Sequence, residues 1–202
     1  MSVCLLLIDD LREDYLARCL ESIGQFVGHD FAANVTILDP DHELGFAGSV
    51  QEGWRQVLET GCEWVFHVEG DFVFNEPVEI ERMIAVLRRH PHLTQMSLLR
   101  QPWNEAEKAA GGIVQQWPED FHEVSESGDV WTETRRWVFT TNPSVYSVEV
   151  CKRGFPDPPE AEGRFGGEWL KEEPWRKSAF WGPKFGAPKV THIGEHRTGT
   201  GY

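Results

Sequence analysis

The sequence predicts an α/β fold, a mostly parallel sheet flanked by helices, and three observations carry that expectation. Two periodicities alternate along the front of the chain: short apolar runs, then apolar residues at helical spacing. The length of 202 residues leaves room for one domain of ordinary size with a sizeable core. The composition, 40% hydrophobic and 26% charged, is that of a globular protein and excludes a disordered or collagen-like chain.

The elements follow in order. Val3 to Ile8 reads as a buried strand, and Tyr15, Leu16, Cys19, Leu20 and Ile23 then recur at helical spacing. Val35 to Leu38 is a second strand, Val50, Trp54, Val57 and Leu58 mark a second helix, and Trp64 to Val68 is a third strand. Ile80, Met83, Ile84 and Leu87 form a third helix, which Asn75-Glu76-Pro77 is expected to open, since proline in a first turn loses no hydrogen bond. Strand and helix in alternation imply parallel strands joined by crossovers. Thr94 to Leu99 is a further strand. Gln101 to Asp129 is polar and rich in turn formers, and reads as a lid or acceptor loop carrying Trp103 and Trp117. Val130 to Thr140 alternates as an antiparallel strand does, until Asn142-Pro143 breaks it. A Pro/Gly/Glu loop from Gly154 to Gly167 leads into a short helical stretch, Glu168 to Glu172.

The formal net charge is -14, and it is unevenly placed: residues 1–150 hold 10 Lys/Arg against 26 Asp/Glu, residues 151–202 hold 9 against 7. An acidic surface repels phosphate backbones, so broad nucleic-acid binding and adhesion to anionic membranes are not expected. Cys4, Cys19, Cys62 and Cys151 show no CxxC pair and no zinc spacing, as suits a reducing cytoplasm. Asp9 and Asp10 interrupt the longest apolar run, Cys4 to Ile8, so neither a membrane span nor a signal peptide is expected, and the protein reads as soluble and cytoplasmic.

In open parallel sheets, ligands bind beyond the carboxyl ends of the strands. Those ends here carry Asp9 and Asp10, Asp39, and the pair Glu69 and Asp71 around Gly70. Two carboxylates on a tight turn suit Mg²⁺ or Mn²⁺, and an ordinary turn uses the same residues. Leu44-Gly45-Phe46-Ala47-Gly48-Ser49 enters a helix with small residues that admit either a ligand or a close helix–sheet contact. It matches neither the dinucleotide fingerprint nor the P-loop, which counts against hydride transfer and ATP hydrolysis.

Arg18-Cys19-Leu20-Glu21-Ser22-Ile23, the Leu44–Ser49 segment and a strand ending in Glu69-Gly70-Asp71 together resemble the nucleotide-sugar-binding half of GT-A-fold glycosyltransferases, in particular the family-2-like group. The resemblance implies a GT-A-like, Rossmann-type mixed sheet, a UDP- or GDP-sugar donor and a Mn²⁺ or Mg²⁺ ion. It places Asp39 at the base and the Glu69/Asp71 pair at the metal and diphosphate. Glu69 stands where the family commonly has Asp, and Ile8-Asp9-Asp10-Leu11 stands in place of Pro-Thr-x-Asn. The candidate donor contacts are Asp9, Asp10, Arg12, Asp39, Gly45, Phe46, Gly48 and Glu69.

Phe165-Gly166-Gly167-Glu168-Trp169 resembles the Gly-Gly-Glu element beside the acceptor in several galactosyl- and N-acetylgalactosaminyltransferases, and Glu162 is a rival carboxylate nearby. An inverting transfer needs a base to take the acceptor proton, for which Glu168 ranks first and Glu162 second. His192 is similar to the C-terminal histidine that many GT-A enzymes bring to the metal, which makes Asp71, Glu69 and His192 the candidate metal set. Arg197 can fork onto a diphosphate and Tyr202 can close over it. The tail from His192 to Tyr202 also resembles that of phage-type glycosyltransferases. Seven of the nine tryptophans follow position 100, and some are expected to line an acceptor groove.

The expected function is metal-dependent transfer of a sugar from a nucleotide sugar to an acceptor hydroxyl, with inversion as the first reading and retention, which shares the same metal site, as the alternative. The acceptor classes are glycan, protein and modified DNA. Residues 1–75 would form the donor half and residues 76–202 the acceptor half of one domain. Two alternatives are a nucleotidyltransferase, which would want a Gly-rich basic signature where only Arg12 stands, and a non-catalytic carbohydrate-binding protein of the same fold.

Overall fold

The computed structural model describes residues 1–11, 13–135, 138–158, 161–170 and 177–194. In chain order the elements are β1 (Val3–Asp9), α1 (Glu13–Phe26), β2 (Ala33–Leu38), α2 (Gly45–Glu59), β3 (Trp64–Glu69), β4 (Phe72–Phe74), α3 (Ile80–Arg89) and β5 (Leu93–Ser97). There follow α4 (Glu105–Ala110), α5 (Ile113–Gln116), β6 (Phe121–Glu126), β7 (Asp129–Thr134), β8 (Ser144–Ser147), α6 (Val148–Cys151), α7 (Ala161–Arg164), a π-helical turn (Phe165–Leu170), β9 (Lys177–Trp181) and β10 (Val190–His192).

Eight strands form one mixed sheet in the order β2-β1-β3-β8-β5-β9-β7-β6. β1 is parallel to β2 and β3, and β5 to β9. β8 runs against β3 and β5, and β7 against β9 and β6, so six strands share one direction and two oppose them. β4 and β10 pair separately, antiparallel.

The continuous apolar run of β1 is explained by burial on both faces, as a central parallel strand requires. Val3 and Leu7 pack with Ile80, Met83, Ile84 and Leu87 of α3. Cys4, Leu6 and Ile8 pack on the other side with Val50, Trp54 and Val57 of α2. Gly53 lets α2 lie close: a Cβ there would stand 2.8 Å from Leu6 Cδ1. Among the described residues no helix is long and apolar enough to cross a membrane.

Four expectations are corrected. Pro77 lies outside α3, which begins at Ile80; the Val78 N–H is drawn instead to the Phe26 carbonyl at the end of α1, 2.9 Å away. The segment from Gln101 to Asp129 is ordered secondary structure rather than one long loop. Asn104 caps α4 by accepting from the Glu107 N–H at 2.8 Å, and Ser127 and Gly128, with φ of 54° and 86°, turn β6 into β7. The strand starting near Val130 stops at Thr134, and farther along the Gln95 side chain of β5 binds the main chain of Thr140 instead. The helical stretch expected from Glu168 starts earlier, as the π-helical turn from Phe165 to Leu170, anchored by Phe165 against Trp54 and Phe139.

Candidate active site

Strand order reverses at β1, which has β2 on one side and β3 on the other, so the crevice lies at the carboxyl ends of β1 and β3. Asp9 closes β1 and Glu69 closes β3, both buried. The Gly70 N–H continues the ladder to the Ile8 carbonyl at 2.8 Å. Only glycine fits there: a Cβ on residue 70 would stand 1.9 Å from Asp9 Oδ2. The other Asp9 oxygen accepts at 2.5 Å from the N–H of Leu11, which is itself bent to a φ of 57°.

Asp71 follows, 1% exposed. β10 lies antiparallel to β4 with His192 opposite Phe72, and this pairing carries the imidazole to the carboxylate, with Nε2 3.1 Å from Asp71 Oδ2. The ring is flanked by Phe72 and Trp103, at centroid distances of 4.7 and 4.2 Å. Gly194 is tight on the same carboxylate, since a Cβ there would lie 2.3 Å from Asp71 Oδ2. Burial, then the charges of Asp9 and Asp71, push the Cys19 thiol up to about 12, as expected beside carboxylates out of water.

A carboxylate and an imidazole 3.1 Å apart form an ion pair whose two donor atoms are also close enough to share one divalent cation, the carboxylate being the part suited to Mg²⁺ or Mn²⁺. Asp71 and His192 therefore fit such an ion. Among the described residues no group of three or more His, Cys, Asp or Glu is placed to hold a metal by itself.

Glu69 and His192 open onto a cavity of about 440 Å³, also lined by Phe72, Arg100, Trp103, residues 138–142, Glu162 and Gly163. Glu162 is held in it by one oxygen: Oε1 accepts from both the N–H and the hydroxyl of Thr141, the latter at 2.6 Å. Thr141 is itself set by its neighbour Thr140, whose main chain the Gln95 amide clasps through donor and acceptor together. Arg100 is paired with Glu107 at 2.8 Å.

A second cavity, of about 250 Å³, lies on the β1–β2 side, lined by Asp9, Asp10, Asp39, His42, Gly45, Phe46 and Ser49. Both oxygens of Asp39 accept from the start of α2: Oδ2 takes the Gly45 N–H at 2.8 Å, and both reach the Leu44 N–H at 3.2–3.3 Å. Asp39 thus serves the helix N-terminus while walling the cavity. Gly48 is not among the lining residues; a Cβ there would meet Leu44 Cβ at 3.2 Å.

The structure thus brings together Asp9, Glu69, Asp71 and His192, with Glu162 across the same cavity. It sets Asp10, Asp39, Gly45 and Phe46 around the second one. Arg12, Arg197 and Tyr202 lie outside the described residues; the main chain of Glu168 falls within the π-helical turn, and its side chain is outside the description. Of the tryptophans, Trp103 reaches the larger cavity, whereas Trp131 and Trp181 are core. The sequence reading missed His42, Arg100, Gln101, Trp103 as a neighbour of His192, and Thr141. Only Asn104-x-x-Glu107, a capping-box pattern, could have signalled that Trp103 precedes a helix.

Beneath the site runs a buried polar chain. The Trp54 indole N–H donates to the Tyr146 hydroxyl, which shares a hydrogen bond with His67 Nδ1, both at 2.9 Å. Burial pushes His67 down to about 3, so the ring is neutral at neutral pH.

No family model matches the sequence, and no curated protein matches it. Solved structures do. Residues 1–349 of S. aureus TarS in complex with UDP-GlcNAc superpose with a TM-score of 0.58 at 12% identity, covering 98% of this chain and 62% of that one. A second structure of the same TarS fragment gives 0.57 at 12% identity over 96% and 60%, and TarS itself 0.58 at 12% over 96% and 37%. The fold is that of a GT-A-type glycosyltransferase. The chain spans less than two thirds of the length of each of these structures. At this identity the likeness is one of GT-A fold, and the crevice at the ends of β1 and β3 is where that fold leaves room for a ligand.

Proposed function

We propose that the chain is a family-2-like glycosyltransferase that moves a sugar from a nucleotide sugar to an acceptor hydroxyl with inversion. The observation that carries this reading is the single cavity onto which His192, paired with Asp71, and the held carboxylate of Glu162 both open. The complex of TarS with UDP-GlcNAc supports a nucleotide-sugar donor on this fold.

Asp71 and His192 would hold Mn²⁺ or Mg²⁺, whose positive charge offsets the charge developing on a departing diphosphate. The nucleoside lies toward the cavity of Asp10, His42 and Phe46, and the acceptor toward Glu162. The acceptor oxygen bonds to the anomeric carbon as the bond from that carbon to the diphosphate oxygen breaks, and the electron pair leaves with the nucleoside diphosphate. The acceptor proton passes to Glu162. Thr141, donating twice to one oxygen, fixes the direction in which the carboxylate faces the acceptor. Trp103 and Phe72 supply aromatic wall for the apolar face of a sugar.

A panel of UDP- and GDP-sugars tested by thermal shift, with and without Mn²⁺, checks the donor. One nucleotide should raise the melting temperature, more so with the cation, and Asp71→Asn should abolish the cation-dependent part. Product NMR should show the inverted anomer and released nucleoside diphosphate. Released pyrophosphate would instead mark a nucleotidyltransferase, and a panel with no stabilising member would sink the assignment.

A further inference from the structure

His192 reaches Asp71 from β10, a strand of three residues, too short to fix a side chain by its own pairing. The backbone ladder on its other side stops one rung early. The Leu99 carbonyl accepts from the N–H groups of Lys189 and Val190, at 2.8 and 3.3 Å, and Arg100 bridges Val190 in parallel. The next rung of a parallel ladder would send the His192 N–H to the Gln101 carbonyl and the Trp103 N–H to the His192 carbonyl. Both of those groups are engaged elsewhere. The Gln101 carbonyl accepts from the Arg100 guanidinium at 2.9 Å, and the Trp103 N–H donates to Glu107 Oε2 at 2.7 Å. The side chain of Gln101 takes both places: its Oε1 accepts the His192 N–H and its Nε2 donates to the His192 carbonyl, each at 2.8 Å.

We propose that Gln101 is a positioning residue whose side-chain amide replaces a backbone rung and fixes the main chain of His192, so that the imidazole lies between Phe72 and Trp103 with Nε2 at Asp71. The consequence for donor binding rests on the proposed function of that pair. A primary amide is suited to the task because it offers a donor and an acceptor side by side in one plane. The same arrangement at Gln95 and Thr140 shows the device used twice around one cavity. Gln101→Glu keeps the size and the acceptor but sets an oxygen against the His192 carbonyl. Gln101→Leu removes both bonds and leaves two backbone groups to find other partners.

The test uses the full chain labelled with ¹⁵N. Long-range ¹H–¹⁵N correlation reads the His192 ring, assigned by its loss in His192→Ala. In Gln101→Leu and Gln101→Glu the His192 ring signals should shift or broaden, while backbone signals away from β10 stay native. Binding of UDP or GDP with Mn²⁺ should weaken about tenfold in Gln101→Leu, as supporting partners of metal ligands typically do, and the double variant with His192→Ala should lose nothing beyond His192→Ala by itself. Ring signals unchanged in both Gln101 variants overturn the proposal, and so do losses that add in the double variant. If Gln101→Leu does not fold, Gln101→Glu decides by the same readouts. Native nucleotide and Mn²⁺ binding in His192→Ala would overturn the donor-site reading instead, with the ring signals still deciding the role of Gln101.

Discussion

The two edges of the sheet are built by different rules. On the β2-β1-β3 edge, β1 leads into α1, β2 into α2, and β3 through the short β4 into α3, and the candidate carboxylates sit at or just past the ends of β1 and β3. On the β8-β5-β9-β7-β6 side, apart from the β6–β7 hairpin, neighbours come from distant parts of the chain: β3 pairs with β8 and β5 with β9. A strand end is a local property, so the places of Asp9, Glu69 and Asp71 along the chain are set locally, although Asp9 meets Gly70 only when β1 pairs with β3. Glu162, Thr141 and His192 reach the site only after the distant pairings form. The difference teaches that local structure sets which residues stand at the strand exits, whereas long-range pairing decides which of them meet, as Asp9 and Gly70 do once β1 lies beside β3.

Four experiments break or sharpen that contrast. The largest effect is expected on the assembled side: Glu162→Gln should lower kcat by about 10²–10⁴-fold, the usual contribution of a general base, while nucleotide binding stays near native. Unchanged turnover would move the base elsewhere, Glu168 being the first place to look. Gly70→Ala tests the strand exits. With its Cβ 1.9 Å from Asp9 Oδ2, it should cost about 1–3 kcal/mol in denaturant unfolding, as other overpacked sites do, and weaken nucleotide binding as Asp9 moves. Tyr146→Phe probes the layer joining the two edges, where Tyr146 bridges Trp54 of α2 and His67 of β3. It leaves both buried partners unsatisfied and should cost about 1–3 kcal/mol of stability, read by the same unfolding assay. Gly24→Ala is the control. Nothing lies within 4 Å of a Cβ at that position in α1, so the chain should gain about 0.5–1 kcal/mol from helix propensity, with no change in nucleotide binding.

Much of the fold was legible because its signals are local. The run Cys4-Leu5-Leu6-Leu7-Ile8 reads as a buried strand, and the helical spacing of Ile80, Met83, Ile84 and Leu87 marks α3. Pro77 misled because a proline that can open a helix can equally sit in the connection before it, and the contact of Val78 with Phe26 decided between them. The segment after Gln101 misled because α4 spans only six residues and α5 four, too few for a period to show. In the site, Glu69-Gly70-Asp71 stood out as a motif. Gln101 and Thr141 did not, since a glutamine or threonine carries no pattern until its partner, 91 or 21 residues away, is placed.

The sequence by itself determined an α/β chain with acidic strand exits, because hydrophobic period and turn chemistry act over a few residues. Glycine at position 70 was visible too, but not its reason. Tertiary structure alone decided that Asp9 lies against that glycine, that His192 meets Asp71, that Glu162 is the carboxylate held in the cavity, and that Asp39 is occupied with the N-terminus of α2. Each of these depends on which strands become neighbours, and that choice is made by burial of both faces of the sheet at once.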